Sequence, residues 1–350
     1  MTTAHLARGV TLLALFTLGQ CSEPTSTRNQ STTSPPDLGA ILPEAHAALH
    51  EAVATGSLLN AAITRFLNSP DEPNRESAVT ARHTAHDAWL SAWAPAALWA
   101  GNDIHYVAFR IDAWPITPGF LDTLPQYPQS GIVADVSLPL NVDSIQKQHG
   151  FSDPLEVALG FHAIQLLLDR PVRDYNGAAE QIKRRRELLR LQSEILLGDL
   201  QALAQTPPIS LGMTGLLEAS IATLSEALRM ATRDTGKTDC KSAWRGDSYR
   251  ALELLTAPVV NWLEREGLRR WSLAIDPKAA ANLTETLKMM TSPPGPTSTP
   301  TNYAAIGAEA PTTATAPTPP LVNQTELALR ATLQILKGII QKASRSRTGP

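Results

Sequence analysis

His162, Gln165 and Asp169 are the residues of this chain whose types and spacing most directly permit chemistry. Residues three and four apart on a helix share a face, so these three, beside Ala158, form one polar stripe on a segment otherwise rich in Leu, Ile and Phe. An imidazole with a polar neighbour at that spacing can ligate a cation, move a proton or hydrogen-bond a ligand. Gln165 narrows the choice. Its amide offers a carbonyl oxygen and an NH2 donor, so it suits hydrogen bonding better than holding a cation. Asp169 stands about 10 Å along the axis from His162 and cannot reach the same ion without help from elsewhere. Three readings remain: a hydrogen-bonding groove without tight metal, a metal site centred on His162, and a structural histidine.

The element that positions the stripe is expected to be a helix from Phe151 to Asp169. Asp153 would be its N-cap, Pro154 its first residue, and Glu156 the partner completing a capping box. A helix apolar nearly all round is buried, so its one polar stripe must face a partner, a water or a ligand. Upstream, Gly101 to Gly150 is irregular and turn-rich, and an insertion of that kind tends to pack over a site. It carries Arg110 and Asp112, which burial would force to pair with each other or with the stripe. His105 and His149 would be further ligands only if the loops fold back, and the reading favours neither. His83 and His86, three apart on an earlier helix, read as surface residues, whereas Ala85, Trp89 and Trp93 on that helix read as core.

Helical periodicity dominates the rest. Helices are expected from Ile41 to Phe66 with an interruption at Gly56, from Ser77 to Trp93, from Ala178 to Ala204, and from Leu211 to Thr232. Others follow from Asp247 to Glu266 with a kink at Pro258, from Pro277 to Met290, and from Val322 to Ala343. Lys183 to Arg186 reads as a solvated basic face, because Glu180, Glu187, Glu194 and Asp199 share its helix. No alternating strand pattern competes. The expected fold is all-α, as two tandem helical bundles over 40–206 and 209–345, the second interrupted by a disordered Pro/Thr-rich insertion at 292–320.

A net charge of −3 and a pI near 6.3 give no basic face for a nucleic-acid partner. Arg8 precedes an apolar run from Val10 to Leu18 that is too short to span a bilayer and ends at Leu18-Gly19-Gln20-Cys21. Residues 1–20 read as an export signal whose ending resembles a lipobox, with Cys21 as the lipidated residue, although Gln20 stands where a small residue is expected. Residues 21–39 read as a flexible tether. The expected location is the periplasm-facing or surface side of an envelope membrane, held by the lipid; Ser22 is compatible with the outer membrane. Cys240 would then lack an intrachain disulfide partner and reads as a small buried side chain.

Two stretches, Arg110-Ile111-Asp112-Ala113-Trp114-Pro115 and Gly160-Phe161-His162-Ala163-Ile164-Gln165, together resemble the imelysin family. The first matches its Trp-Pro signature and the second its Gly-x-His-x-x-Glu motif, with Gln165 in place of the Glu. The resemblance extends weakly over residues 40 to 345. It implies paired four-helix bundles with a groove between them, an exported and often lipid-anchored protein, and an association with iron acquisition; some relatives are described as peptidases. Candidate ligand-binding residues are Arg110, Asp112, Trp114, His162, Gln165, Asp169 and Asp247, with Ser248 and Tyr249 beside Asp247 on the opposite wall. His162 is the candidate metal ligand, and iron or zinc the candidate cofactor, weakened by Gln165; no catalytic residue is assigned. The expected function is non-catalytic ligand or partner binding at the cell envelope, within iron uptake and alongside an envelope protein partner. The alternatives are a metal-dependent peptidase using His162 and an interaction module with a decayed site.

Overall fold

Gly56 does not interrupt the first helix. α1 runs unbroken from Ile41–Asn68, and a Cβ at Gly56 would stand 2.8 Å from the side chain of Leu200 on a neighbouring helix. The glycine therefore serves close approach of two helices, which offsets its poor helix propensity. The computed structural model describes residues 38–208, 212–233, 248–291 and 320–347. The export signal, Cys21, residues 22–37 of the tether, Cys240, Asp247 and residues 292–319 of the insertion lie outside the described residues.

α2 (Glu72–Ala100) begins where its capping chemistry says it should: the Asp71 carboxylate accepts from the Asn74 amide at 2.8 Å, with Pro73 in the first turn. It extends seven residues past Trp93, through Pro95, and every residue from Ala92 to Ala100 is buried. Neighbours explain this. α2 packs against α1 and, further along the chain, against α5 (Phe161–Leu168), α6 (Glu180–Gln205), α7 (Met213–Arg233) and α8 (Ser248–Glu264). Contacts on more than one side leave no solvent face, which is the condition for a helix buried all round. α3 (Ile104–Asp112) and α4 (Val142–Gln148) lie inside the expected irregular insertion. The expected kinked helix ends at Glu264, and α9 (Glu266–Ile275) follows as a separate element before α10 (Pro277–Thr291) and α11 (Pro320–Arg347). α11 packs on α7 and α10. The fold is all-α, and among the described residues no helix is long and apolar enough to cross a membrane.

The basic run on α6 corrects its sequence reading. Lys183 is exposed, but Arg184 and Arg185 are buried. Arg184 donates to the carbonyl oxygens of Ile132, Val133, Asp135 and Leu138 at 2.6–3.1 Å. Arg185 pairs with buried Asp122 through Nε at 2.5 Å and Nη2 at 2.9 Å, and Arg186 donates to the carbonyls of Tyr175 and Leu67. The run faces an irregular loop whose carbonyls lack helical partners, so guanidinium donors substitute for water there. Intrahelical acids could not reveal this, because Glu187 and Glu194 bind Arg190 instead.

The organising helix is also shorter than its start signal suggested. Asp153 and Glu156 do perform capping chemistry, but around a turn: Asp153 accepts from the Leu155 amide at 2.8 Å, and Glu156 accepts from the Ser152 amide and hydroxyl, each at 2.8 Å. The helix itself starts at Phe161. Tertiary partners satisfy the intervening backbone instead. Gln192 of α6 donates to the Ala158 carbonyl at 2.8 Å, and His149 accepts from the Ala158 and Leu159 amides at 3.1 and 3.2 Å.

Candidate functional site

Gly160 sets the position of the site. Its φ is +90° and ψ −178°, a region open essentially to glycine alone. A Cβ there would stand 2.4 Å from the Ile111 carbonyl oxygen and 3.0 Å from that of Arg110. The glycine of Gly160-Phe161-His162 thus lets the start of α5 lie directly on the last turn of α3. That contact brings His162 to Asp112.

The two meet a third residue, from α2. His162 Nε2 lies 3.0 Å and His86 Nε2 2.9 Å from the same oxygen, Asp112 Oδ1. One ligand atom from each residue lies within 4.8 Å of the others. His86 is buried, contrary to its reading as a surface residue, whereas His83 is exposed. The ring of His86 packs on those of His162 and Phe161, with centroids 5.2 and 5.0 Å away. Burial raises the Asp112 pKa, but the two imidazoles more than offset this and hold its carboxyl well below the usual carboxylate range. Burial also pushes His162 down to about 4 against the pull of Asp112, so that ring is neutral at physiological pH.

The remaining candidates occupy separate places. Trp114 stands beside the cluster, its ring centroid 6.4 Å from that of His162. Arg110 does not pair with Asp112; it binds Asp199 of α6 through Nε at 3.1 Å and Nη2 at 2.7 Å and ties α3 to α6. Gln165 donates to exposed Asp169 at 2.5 Å, so its amide nitrogen is engaged away from His162. The stripe therefore divides between the buried cluster and the margin. On the facing helix, Arg75 donates to the Leu168 carbonyl at 2.9 Å and buried Arg82 approaches that of Phe161 at 3.4 Å. His105 is exposed.

His149 has a role that its sequence reading did not assign. Its Nε2 donates to the Phe109 carbonyl at 2.8 Å while Nδ1 accepts from the Ala158 and Leu159 amides. It clamps α3 to the chain entering α5, three residues before the Asp112 and His162 positions on either side. Burial, with the nearby Arg110 charge, depresses its pKa to about 4 although the Phe109 carbonyl favours the proton. The unfolded ring binds a proton below about 6.5 while the folded one resists until about 4, so stability is fully present above the first value and is lost as pH falls toward the second. The loss attributable to this ring should approach ~3 kcal/mol. Urea unfolding measured across this pH range should show the decline, with a shallower slope in His149→Gln; equal slopes would dismiss the clamp as the cause.

The donor set fits a first-row divalent cation: two imidazoles and one carboxylate suit zinc or ferrous iron, and each residue comes from a different helix held by packing. When bound, such a cation would act as a Lewis acid or as cargo. Comparison with known proteins agrees with the all-α fold. The family model for imelysin, which carries a peptidase label, matches residues 45–242. No curated protein matches the chain. Among solved structures, a crystal structure from Parabacteroides distasonis, provisionally named an iron-regulated protein A precursor, is 13% identical with a TM-score of 0.54; the match covers 89% of this chain and 97% of that one. That likeness establishes a shared fold. With more than half its length matched by the family model, and with both motif stretches converging on one buried cluster, the chain belongs to the imelysin family.

Proposed function

We propose that this protein is an exported, non-catalytic binding protein of the cell envelope, serving iron acquisition, with His86, Asp112 and His162 as its cation-binding centre. The observation that carries the reading is the convergence of two imidazoles on one Asp112 oxygen. The name of the structural neighbour supports the iron connection. The apolar run ending at Cys21 supports export and lipid anchoring.

Acid–base chemistry argues against turnover. A general base needs a free proton acceptor near the reacting atoms, and in this reading Asp112 is taken up as a cation ligand. Gln165 cannot take that role, since an amide does not accept a proton from water at neutral pH. The site binds better than it catalyses.

Iron and zinc measured in protein purified without chelators should approach one equivalent. His86→Ala and His162→Ala should each lose at least about tenfold in affinity, while His83→Ala, on the same helix but exposed, should keep the metal. Retention in all three variants would dismiss this centre. Proteolysis gained in Gln165→Glu would instead favour a decayed peptidase.

A further inference from the structure

Arg82 is a buried cation that the cluster leaves only partly answered. It sits on α2, one turn before His86, and is 3% exposed. Nε approaches the Phe161 carbonyl at 3.4 Å and Nη1 approaches His83 Nδ1 at 3.4 Å. Nη2 is buried with no hydrogen-bond partner among the described residues. Burial pushes the guanidinium pKa down, and Asp112, Asp169 and Asp87 counter this only through longer-range attraction. A buried guanidinium donor without an acceptor is costly. On α5, the Gln165 carbonyl oxygen is likewise buried without a partner among the described residues. Gln165 is neutral, so it brings no negative charge to the site.

Charge balance makes the deficit larger once a cation is bound. Within the cluster Asp112 contributes one negative charge and the imidazoles none, while a divalent cation with Arg82 brings three positive charges; Asp169 and Asp87 answer Arg82 only from longer range, and Arg229 adds a further positive charge within range of Asp112. Excess positive charge in a low-dielectric site has to be neutralised. We propose that the site takes its cation together with a small planar oxyanion, a carbonate or a simple carboxylate, with Arg82 as the residue that recognises it. Arg suits that role because its planar fork matches the two oxygens of such an anion. This rests on the cluster being a cation site.

The test is zinc titration of the full chain by competition with a chromogenic chelator. It is run in buffer stripped of carbon dioxide, then with added hydrogencarbonate, then with added formate. One of the anions should tighten zinc binding roughly tenfold or more, and the preferred one identifies the source. Arg82→Gln should abolish the enhancement while binding zinc at least as well without anion, because a positive charge beside the cation is gone. Arg82→Lys, which keeps charge but loses the fork, should retain only part, and it serves as the deciding variant if Arg82→Gln does not fold. Zinc binding independent of either anion overturns the anion proposal alone, as does an enhancement that survives in Arg82→Gln. Zinc binding absent in every buffer overturns the cation centre, and this proposal with it.

Discussion

Gly160→Ala should destabilise the protein by about 2 to 6 kcal/mol and dismantle the cation centre. Two effects add. An alanine held in a backbone region open only to glycine costs about 1–3 kcal/mol, and a methyl group forced against packed backbone costs about 1–3 kcal/mol more. The obstacle is the Ile111 carbonyl, 2.4 Å away, and backbone cannot swing aside as the end of a long side chain can. Relief requires α5 to move off α3, which separates His162 from Asp112. Gly198→Ala is the matched control: it lies within α6, where an added Cβ would meet nothing within 4 Å. There alanine should stabilise by about 0.5–1 kcal/mol through helix propensity. Urea unfolding of both variants, paired with zinc titration, checks the difference. A Gly160→Ala protein as stable as the Gly198→Ala protein would mean that α3 and α5 do not pack this closely.

Asp122→Ala should cost a similar 3 to 5 kcal/mol, for an unrelated reason. Asp122 and Arg185 are both almost completely buried, and the carboxylate binds Nε and Nη2 together. Removing one partner leaves a desolvated charge without its counter-ion. Arg185 keeps its bond to the Asp174 carbonyl at 2.7 Å and the longer-range attraction of the Asp174 carboxylate, which limit the loss; Arg170, 3.5 Å from Asp122, keeps its pairing with Asp174 at 2.9 Å. Replacing both residues by apolar ones, Asp122→Leu with Arg185→Met, should recover a large part of the loss, because the cost lies in the orphaned charge rather than in the absent bond. A double-mutant cycle followed by urea unfolding separates these contributions. A double variant as unstable as the sum of the two single ones would show that the pair is not coupled. Zinc affinity at the His86, Asp112 and His162 cluster should change little in the folded double variant, in contrast to Gly160→Ala.

The helices were legible in sequence because burial imposes a period, and the all-α fold followed. What sequence missed depended on partners far along the chain. The capping box at Asp153 and Glu156 was real chemistry, but three-dimensional neighbours, His149 and Gln192, claimed the backbone that a longer helix would have used. The basic run on α6 looked solvated because its acceptors are carbonyls some fifty residues earlier. Of the candidate site, His162 and Asp112 were readable from motif spacing and resemblance. His86 and Arg82 were missed, yet a signal existed. At about 100° per residue, Arg82, His86, Trp89 and Trp93 fall within an arc of about 60°, whereas His83 lies outside it. Polar residues on the same narrow arc as two core tryptophans are buried, and a buried histidine needs a partner.

Arg184 carries a consequence for how the molecule opens. Four carbonyls from Ile132 to Leu138 converge on its guanidinium, which is rooted near the start of α6. A stretch with no ladder of its own would ordinarily fray first and offer a protease its earliest cut. Here Ile132 and Val133 are buried and their carbonyls are held from α6, so this part of the passage between α3 and α4 opens with the helices around it, whereas the exposed turn at Asp135, Val136 and Ser137 remains the place for a first cut.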